Sequence, residues 1–149
     1  MLSRTVEYAL RAVVHLAQRS PVPQTTQQIA EATVVPPAYL SKVLQVLSRG
    51  GIVRSQRGVG GGIALVKSPQ QVTILDVFNA VEPLERITSC PVGLEAHGVR
   101  LCTLHRRLDD AMAMVENAFR TTTLAEILDE PNPSQPLCPV PATEQPTDK

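Results

Sequence analysis

The 149-residue sequence has no tryptophan, and aromatic residues make up only 3% of it. Aromatic platforms that stack on nucleic-acid bases are therefore not expected. No stretch approaches the roughly 18–20 consecutive apolar residues that span a bilayer. Charged residues at positions 4, 7 and 11 interrupt the N-terminal apolar stretch, so no signal peptide is predicted. We therefore expect a cytoplasmic protein with no membrane partner.

Cysteine is scarce as well, with three in the chain. In the cytoplasm, cysteines are expected as thiols or metal ligands more than as structural disulfides. Cys90 and Cys102 are candidates for such roles, whereas Cys138 lies in a proline-rich segment and is expected to have none. No Ser/His/Asp order or paired-carboxylate site stands out, so the sequence does not predict an enzyme.

Acidic residues are rare in the first half of the chain. Residues 1–67 contain eight Lys/Arg and two Asp/Glu, a net charge of +6. Residues 68–149 contain six Lys/Arg and twelve Asp/Glu, a net charge of −6, and the formal total is zero. Such a division suggests that the basic half binds a polyanion. Chance segregation of charge on a solvated surface is the alternative.

The first half contains three segments with apolar residues at helical spacing. The first helix is predicted over 3–18, with Ser3 as its N-cap. Thr25 and Gln28 fit a capping box that starts a short second helix. A third helix is predicted over 37–50, from a proline at its start to a glycine pair at its end.

The stretch RGVGGG, residues 57–62, resembles a phosphate-binding loop only superficially. A Walker loop continues with Gly-Lys-Ser/Thr, whereas Ile63 and Ala64 follow here. Short apolar segments on both sides read as strands, which predicts a β-hairpin with a long, flexible, basic tip. Helix, helix–turn–helix and hairpin in that order predict a winged helix-turn-helix, mainly α with a small β-hairpin wing.

In such a motif the second helix enters the major groove of duplex DNA with its N-terminal residues. This helix hides its leucines and turns small, hydrogen-bonding or cationic groups outward. The candidate DNA contacts on the two helices are Thr26, Pro37, Ala38, Tyr39, Ser41, Lys42 and Gln45. On the wing they are Arg54, Arg57, Gly58 and Gly60, because glycine permits close approach to the phosphates and arginine supplies charge. A module that binds protein instead of DNA is the competing interpretation.

The second half of the chain predicts a long helix over 102–120. Leu104, Leu108, Ala111, Val115 and Phe119 form a seam similar to a coiled-coil face. Nothing later in the chain is large enough to cover this seam, so it predicts a homodimer interface. An intramolecular core face is the alternative.

Thr73 with Asp76, and Thr123 with Glu126, are predicted to cap two shorter helices. The proline-rich C-terminus is typical of disorder. The predicted organisation is a winged helix-turn-helix domain over 1–83, a sensor loop over 84–101, dimerisation helices over 102–130 and a disordered tail over 131–149.

The segments EYALRAVVHLA, IAEATVVPPAYLSKVLQVLSRGGIV, SQRGVGGGIALVKSP and VTILDVFNAVE occur in that order before a cysteine-bearing loop and a long helix. This pattern resembles the IscR/NsrR/CymR family of bacterial winged-helix transcription regulators of the Rrf type. The resemblance covers residues 1–130. It implies a homodimeric repressor or activator on a pseudo-palindromic operator. It also implies, as in several members, a loop whose iron–sulfur cluster responds to iron, nitric oxide or redox state.

Members that bind a cluster often carry C-x5-C-x5-C, with a histidine three residues after the last cysteine. Eleven residues separate Cys90 from Cys102, so the outer cysteines are in register, and His105 is in register too. The middle position is alanine, with His97 beside it. The resemblance therefore implies Cys90, Cys102 and His105 as ligands, with His97 or the partner's Glu7 as the fourth. The cluster implied is [2Fe–2S] in preference to [4Fe–4S].

Other uses of this loop remain open. Cys90, His97, Cys102 and His105 would also make a four-ligand zinc set, although their spacing is not a common one for zinc. Two thiols that sense oxidation, or residues with no function in the loop, are further alternatives. A regulator of the same family without a cluster would be controlled by such a thiol, by a small molecule or by a protein partner.

Overall fold

A computed structural model describes residues 2–94 and 100–131. The helices are α1 (Arg4–Arg19), α2 (Thr26–Thr33), α3 (Pro37–Arg49), α4 (Ile74–Val81), α5 (Thr103–Thr121) and α6 (Leu124–Asp129), with a short 3-10 helix at Pro69–Gln71. Strands β1 (Val53–Gln56) and β2 (Gly62–Leu65) form an antiparallel hairpin. The predicted fold class is confirmed: a mostly helical chain with a two-stranded wing.

The helices begin where the sequence places their caps. The Ser3 hydroxyl accepts a hydrogen bond of 3.2 Å from the amide of Val6 at the start of α1. Capping boxes open three further helices, in which the cap hydroxyl and the side chain three residues later each satisfy a free amide. They pair Thr25 with Gln28, Thr73 with Asp76 and Thr123 with Glu126.

The core forms around α1, against which α2, α3, α4 and α6 pack. Ile29, Leu40, Leu47, Val77 and Leu124 come from these four helices, and each is 0% exposed. The buried stripe on α1 is wider than the helical spacing of its apolar residues predicts. Helices pack on more than one side of α1, and its buried residues therefore include Ala9, Ala12, His15 and Leu16.

The wing is fixed to the rest of the domain at its base. Gln24, in the segment between α1 and α2, pairs with Ile63 through two backbone hydrogen bonds of 2.8 and 2.7 Å. The tip, predicted as long and flexible, contains a closed turn in which the Gly61 amide donates to the Gly58 carbonyl at 3.0 Å.

The C-terminal helix α6 returns to the N-terminal part of the chain. The Leu124 amide donates to the Val72 carbonyl at 2.9 Å, and the Ile74 amide donates to the Thr122 carbonyl at 3.0 Å. These bonds join the starts of α4 and α6, so that the side chain of Leu124 enters the core.

Helix α5 contains no buried residue. Leu104, Leu108 and Val115 of the predicted seam are 64%, 47% and 40% exposed. Phe119 instead stacks on Phe78 of α4, with ring centroids 4.8 Å apart, and therefore contributes to the chain's own packing. Of the helices described, none combines the length and apolar character needed to cross a membrane. His97, Cys138 and residues 132–149 of the predicted tail lie outside the described residues.

Candidate nucleic-acid interface and cysteine loop

Helix α3 has one buried side and one solvent-facing side. Leu40, Val43, Leu44 and Leu47 are buried because α3 packs on α1, α2 and α4. The predicted contact residues all lie on the solvent-facing side, where the sequence placed them. These exposed residues are Pro37, Ala38, Tyr39, Ser41, Lys42 and Gln45.

The candidate contacts on α2 and α3 are brought together at the helix–turn–helix. Thr26, at the start of α2, and Pro37, at the start of α3, line the same open recess of about 490 Å³. Val34, in the turn, has φ of 55°, in the left-handed region that a β-branched residue rarely adopts. The sharp turn of the motif therefore depends on one strained residue.

Side chains of α1 hold the start of α3 in place. The Tyr39 hydroxyl lies 2.9 Å from the Thr5 hydroxyl. Its ring packs edge-on against Tyr8, with centroids 5.3 Å apart. These contacts join residues more than thirty positions apart, so that no sequence pattern signals them.

Arg11 of α1 forms a second link to the helix–turn–helix. It donates to the Glu7 carboxylate at 2.9 Å and reaches the Thr33 carbonyl at 3.5 Å. Its guanidinium also lies 5.8 Å from the centre of the Tyr8 ring. The four-residue spacing of Glu7 and Arg11 is a sequence signal for the ion pair, although it says nothing of Thr33.

The wing presents a cation beside an open backbone. Arg54, Arg57, Gly58 and Gly60 are all exposed. Gly58 and Gly60 have φ of 98° and 74°, which favours glycine, and a Cβ at either would meet no atom within 4 Å. The tip can therefore approach another surface without a side chain in the way.

The candidate contacts on α3 and the wing carry positive charge only, although Glu31 lines the recess beside Thr26. No Asp or Glu occurs between Glu31 and Asp76, while this interval contains five Lys/Arg. Lys42, Arg54 and Arg57 are the candidate contacts among them, and each is exposed. Because the interval contains no carboxylate, the face of α3 and the wing have a positive charge that suits a polyanion.

The structure brings two of the candidate metal ligands together. Cys102 is the N-cap residue of α5, and its Sγ lies 3.3 Å from Nδ1 of His105, one turn into the helix. Cys90 is half-buried in the preceding loop. Glu7 is paired with Arg11. Within residues 2–94 and 100–131, no three His, Cys, Asp or Glu side chains form a metal site.

The loop is attached to α5 by Arg86. Its guanidinium donates two hydrogen bonds of 2.7 Å to the Asp109 carboxylate and one of 3.1 Å to Glu116. The Ile87 amide also donates to Asp109 at 2.9 Å. The hydrogen bonds raise the pKa of Arg86 and lower that of Asp109, so both remain charged. Sequence reasoning missed this clamp, because its partners are more than twenty residues apart.

A helix–turn–helix with an exposed, cationic second helix and a β-hairpin wing defines a winged helix-turn-helix transcription regulator. The chain belongs to the Rrf2 family, described as iron-dependent transcriptional regulators, which matches residues 2–130. The family resemblance read from the sequence motifs is confirmed. As the sequence predicted, the protein is not an enzyme, because the family consists of transcription regulators.

The protein is similar to other regulators over most of its length. A protein of Aquifex aeolicus (strain VF5), provisionally named an HTH-type transcriptional regulator, is 28% identical over 131 residues, or 86% of this chain and 91% of the relative. The fold matches CymR, the global cysteine regulator of B. subtilis, with a TM-score of 0.73 and 22% identity over 89% of this chain and 98% of CymR. It also matches T. potens IscR, with a TM-score of 0.72 and 23% identity over 86% and 85% of the two chains.

Proposed function

We propose that the protein is a homodimeric, sequence-specific regulator that binds duplex DNA through α3 and the wing. The observation that carries this proposal is the solvent-facing side of α3, which is exposed from its first turn and contains no carboxylate. A helix of this kind fits the major groove, whose base edges accept and donate hydrogen bonds. The DNA partner is a double-stranded operator, and we expect the protein to act in the cytoplasm.

The candidate contacts divide by chemistry. Tyr39, Ser41, Lys42 and Gln45 supply the hydrogen-bonding groups that can read base edges or hold phosphates. Pro37 and Ala38 are small and apolar, which lets the start of α3 approach the groove, and Thr26 supplies a hydroxyl at the start of α2.

On the wing, Arg54 and Arg57 provide charge for the backbone or a narrow minor groove. Gly58 and Gly60 let the turn come close to it.

The exposed seam of α5 supports the dimer. Leu104, Leu108 and Val115 remain open in the single chain, and the described residues include nothing that covers them. Pairing two copies through α5 would bury this apolar surface and present two α3 helices to two half-sites.

Salt dependence of duplex DNA binding tests the DNA proposal. Affinity should fall steeply with salt, because cationic side chains displace counterions from the phosphates. Lys42→Ala and Arg57→Ala should each weaken binding, and a side chain that neutralises one phosphate should reduce the salt slope by about one unit. Arg120→Ala removes a charge from α5 and should leave the slope unchanged. Wild-type affinity in both Lys42→Ala and Arg57→Ala would contradict this placement of the DNA.

We also propose that the loop holds an iron–sulfur cluster through Cys90, Cys102 and His105, with His97 or Glu7 of the partner subunit as the fourth ligand. The short contact between Cys102 and His105 supports two members of this set, and the family's iron dependence supports the metal. When bound, such a cluster supplies a group that responds to redox state or nitric oxide. Because Arg86 attaches the loop to α5, an ordered loop would fix the position of α5.

Protein purified without oxygen, with iron and sulfide supplied, tests this cluster. It should be coloured and contain iron and acid-labile sulfide, and Cys90→Ser or Cys102→Ser should abolish the colour. A colourless wild type without sulfide would reject the cluster and leave the thiol alternative. Glu7→Ala with an unchanged spectrum would favour His97. Regulation by the cluster should change operator affinity by a coupling of roughly 1–3 kcal/mol.

A further inference from the structure

The Tyr39 side chain is held at two points by α1. Its hydroxyl lies 2.9 Å from that of Thr5. The ring meets Tyr8 at an interplanar angle of 84°, the edge-to-face geometry that aromatic pairs favour. Tyr39 is nevertheless 40% exposed and remains accessible on the solvent-facing side of α3. Both ring and hydroxyl are thus oriented before DNA arrives.

Hydrogen-bond capacity limits how the two hydroxyls can be arranged. Each hydroxyl has one proton to donate and oxygen lone pairs that accept. The phosphate oxygens of DNA only accept. If Tyr39 donated to Thr5, its proton would be unavailable to a phosphate. If Thr5 donates to Tyr39, the phenolic proton is free for an acceptor on the DNA.

We propose that Thr5 is a positioning residue for DNA binding, which donates its proton to Tyr39 so that Tyr39 donates to an acceptor on the DNA. This proposal rests on the proposed DNA-binding function and adds a residue of α1 to it. Each hydrogen bond in the chain Thr5–Tyr39–DNA polarises the next, and the two bonds therefore support one another. Tyr8 keeps the phenol in the required plane.

A double-mutant cycle with operator DNA tests the arrangement. Thr5→Val replaces the hydroxyl with a methyl group of similar size, and Tyr39→Phe removes the phenolic oxygen. Each single variant should lower affinity by about threefold to tenfold, the range expected for one hydrogen bond. The double variant should bind no more weakly than Tyr39→Phe. Thr5→Ser retains the donor and should restore most of the affinity.

The salt slope supplies an independent measurement. Neither substitution removes a charge, so affinity should fall while its dependence on salt stays that of the wild type. Thr121→Val, the same chemical change at the end of α5, should bind as the wild type does. A circular-dichroism melting curve for each variant shows whether the fold is retained.

Three results would overturn the proposal. One is wild-type affinity in Thr5→Val, and another is wild-type affinity in Tyr39→Phe. The third is a further loss when Thr5→Val is added to Tyr39→Phe, because Thr5 would then contact DNA by itself. Failure of the wild type to bind any duplex in a salt-dependent way would instead reject the DNA-binding function, and Thr5's role with it.

Discussion

His15 lies in the core of the domain with only 5% of its surface exposed. Its Nε2 has no hydrogen-bond partner among the described residues. Burial lowers the pKa of His15 below its ordinary value of 6.5, an effect that the hydrogen bond between His15 and the Gln24 side chain opposes and the charge of Arg19 reinforces. The folded protein therefore favours the neutral imidazole, and a proton binds the unfolded chain more readily.

The domain should lose stability as pH falls below about 6.5, since the unfolded chain then binds a proton that the folded one resists. Above that pH, His15 is neutral in both states and its contribution is constant. His15→Gln removes the titration, and its free energy of unfolding should vary less between about pH 7 and pH 5. Urea unfolding at several pH values measures this. If the free energy of unfolding of His15→Gln depended on pH as steeply as that of the wild type, groups other than His15 would cause the dependence.

Among the described residues other than glycine, only Val34 has a positive φ, and it is 70% exposed. The left-handed conformation costs an L-residue roughly 1–2 kcal/mol, and glycine avoids that cost but loses about 0.5–1 kcal/mol in chain entropy. Val34→Gly should therefore stabilise the protein by about 0.5–1 kcal/mol in urea unfolding. Val22→Gly, at another exposed valine but without positive φ, should not. Destabilisation by Val34→Gly would mean that the valine side chain contributes contacts that outweigh the strain.

At the scale of elements, the start of each helix is a local property. The capping boxes at Thr25, Thr73 and Thr123 involve side chains three residues apart, and the sequence therefore predicted them correctly. The solvent-facing side of α3 was predictable for a similar reason, because its leucines recur at the helical period.

Contacts between distant segments escaped prediction. Nothing in the sequence of α6 indicates that Leu124 packs in the same core as Ile29, and nothing near Tyr39 points to Thr5. Arg86 pairs with Asp109 across the loop for which sequence reasoning considered only cysteine and histidine. Such pairs depend on how elements pack, whereas the patterns read from a single sequence are local to each element.

Helix α6 is short, but its Leu124 is completely buried among residues of the N-terminal segment. Leu124→Ala should lower the free energy of unfolding by about 2–5 kcal/mol, since it removes buried carbon and leaves a cavity. Leu94→Ala, at a leucine that is 51% exposed, serves as the control and should cost much less. Comparable stability of the two variants in urea would show that α6 does not belong to the cooperative unit.

Across the whole molecule, charge and apolar surface are separated. The cationic interval between Glu31 and Asp76 contains α3 and the wing. The exposed Leu104 and Leu108 lie on α5, which also provides the carboxylates that bind Arg86. A single chain therefore has one face suited to a polyanion and another suited to an apolar partner. In a monomer the leucines of the second face would remain in contact with water, which favours an apolar partner at this face.

If the α5 seam joins two copies, a charge at its centre should separate them. Leu108 is 47% exposed in the single chain, so Leu108→Glu should leave the fold intact. In a dimer it would bury an unpaired carboxylate, which is strongly unfavourable. We expect sedimentation at micromolar concentration to show a dimer for the wild type and a monomer for Leu108→Glu. The variant should also bind a two-half-site operator more weakly, because each copy then binds alone.

Asn117→Glu supplies the matched control for this charge. Nine residues along a helix of 3.6 residues per turn place position 117 about half a turn from Leu108, on the opposite side of α5. The same carboxylate there should leave the dimer and its operator affinity unchanged. A dimeric Leu108→Glu protein would place the interface elsewhere. If both variants dissociated, the cause would be the added negative charge on α5 and not the loss of an apolar contact at Leu108. The existing carboxylates of Asp109 and Glu116 would reinforce that charge.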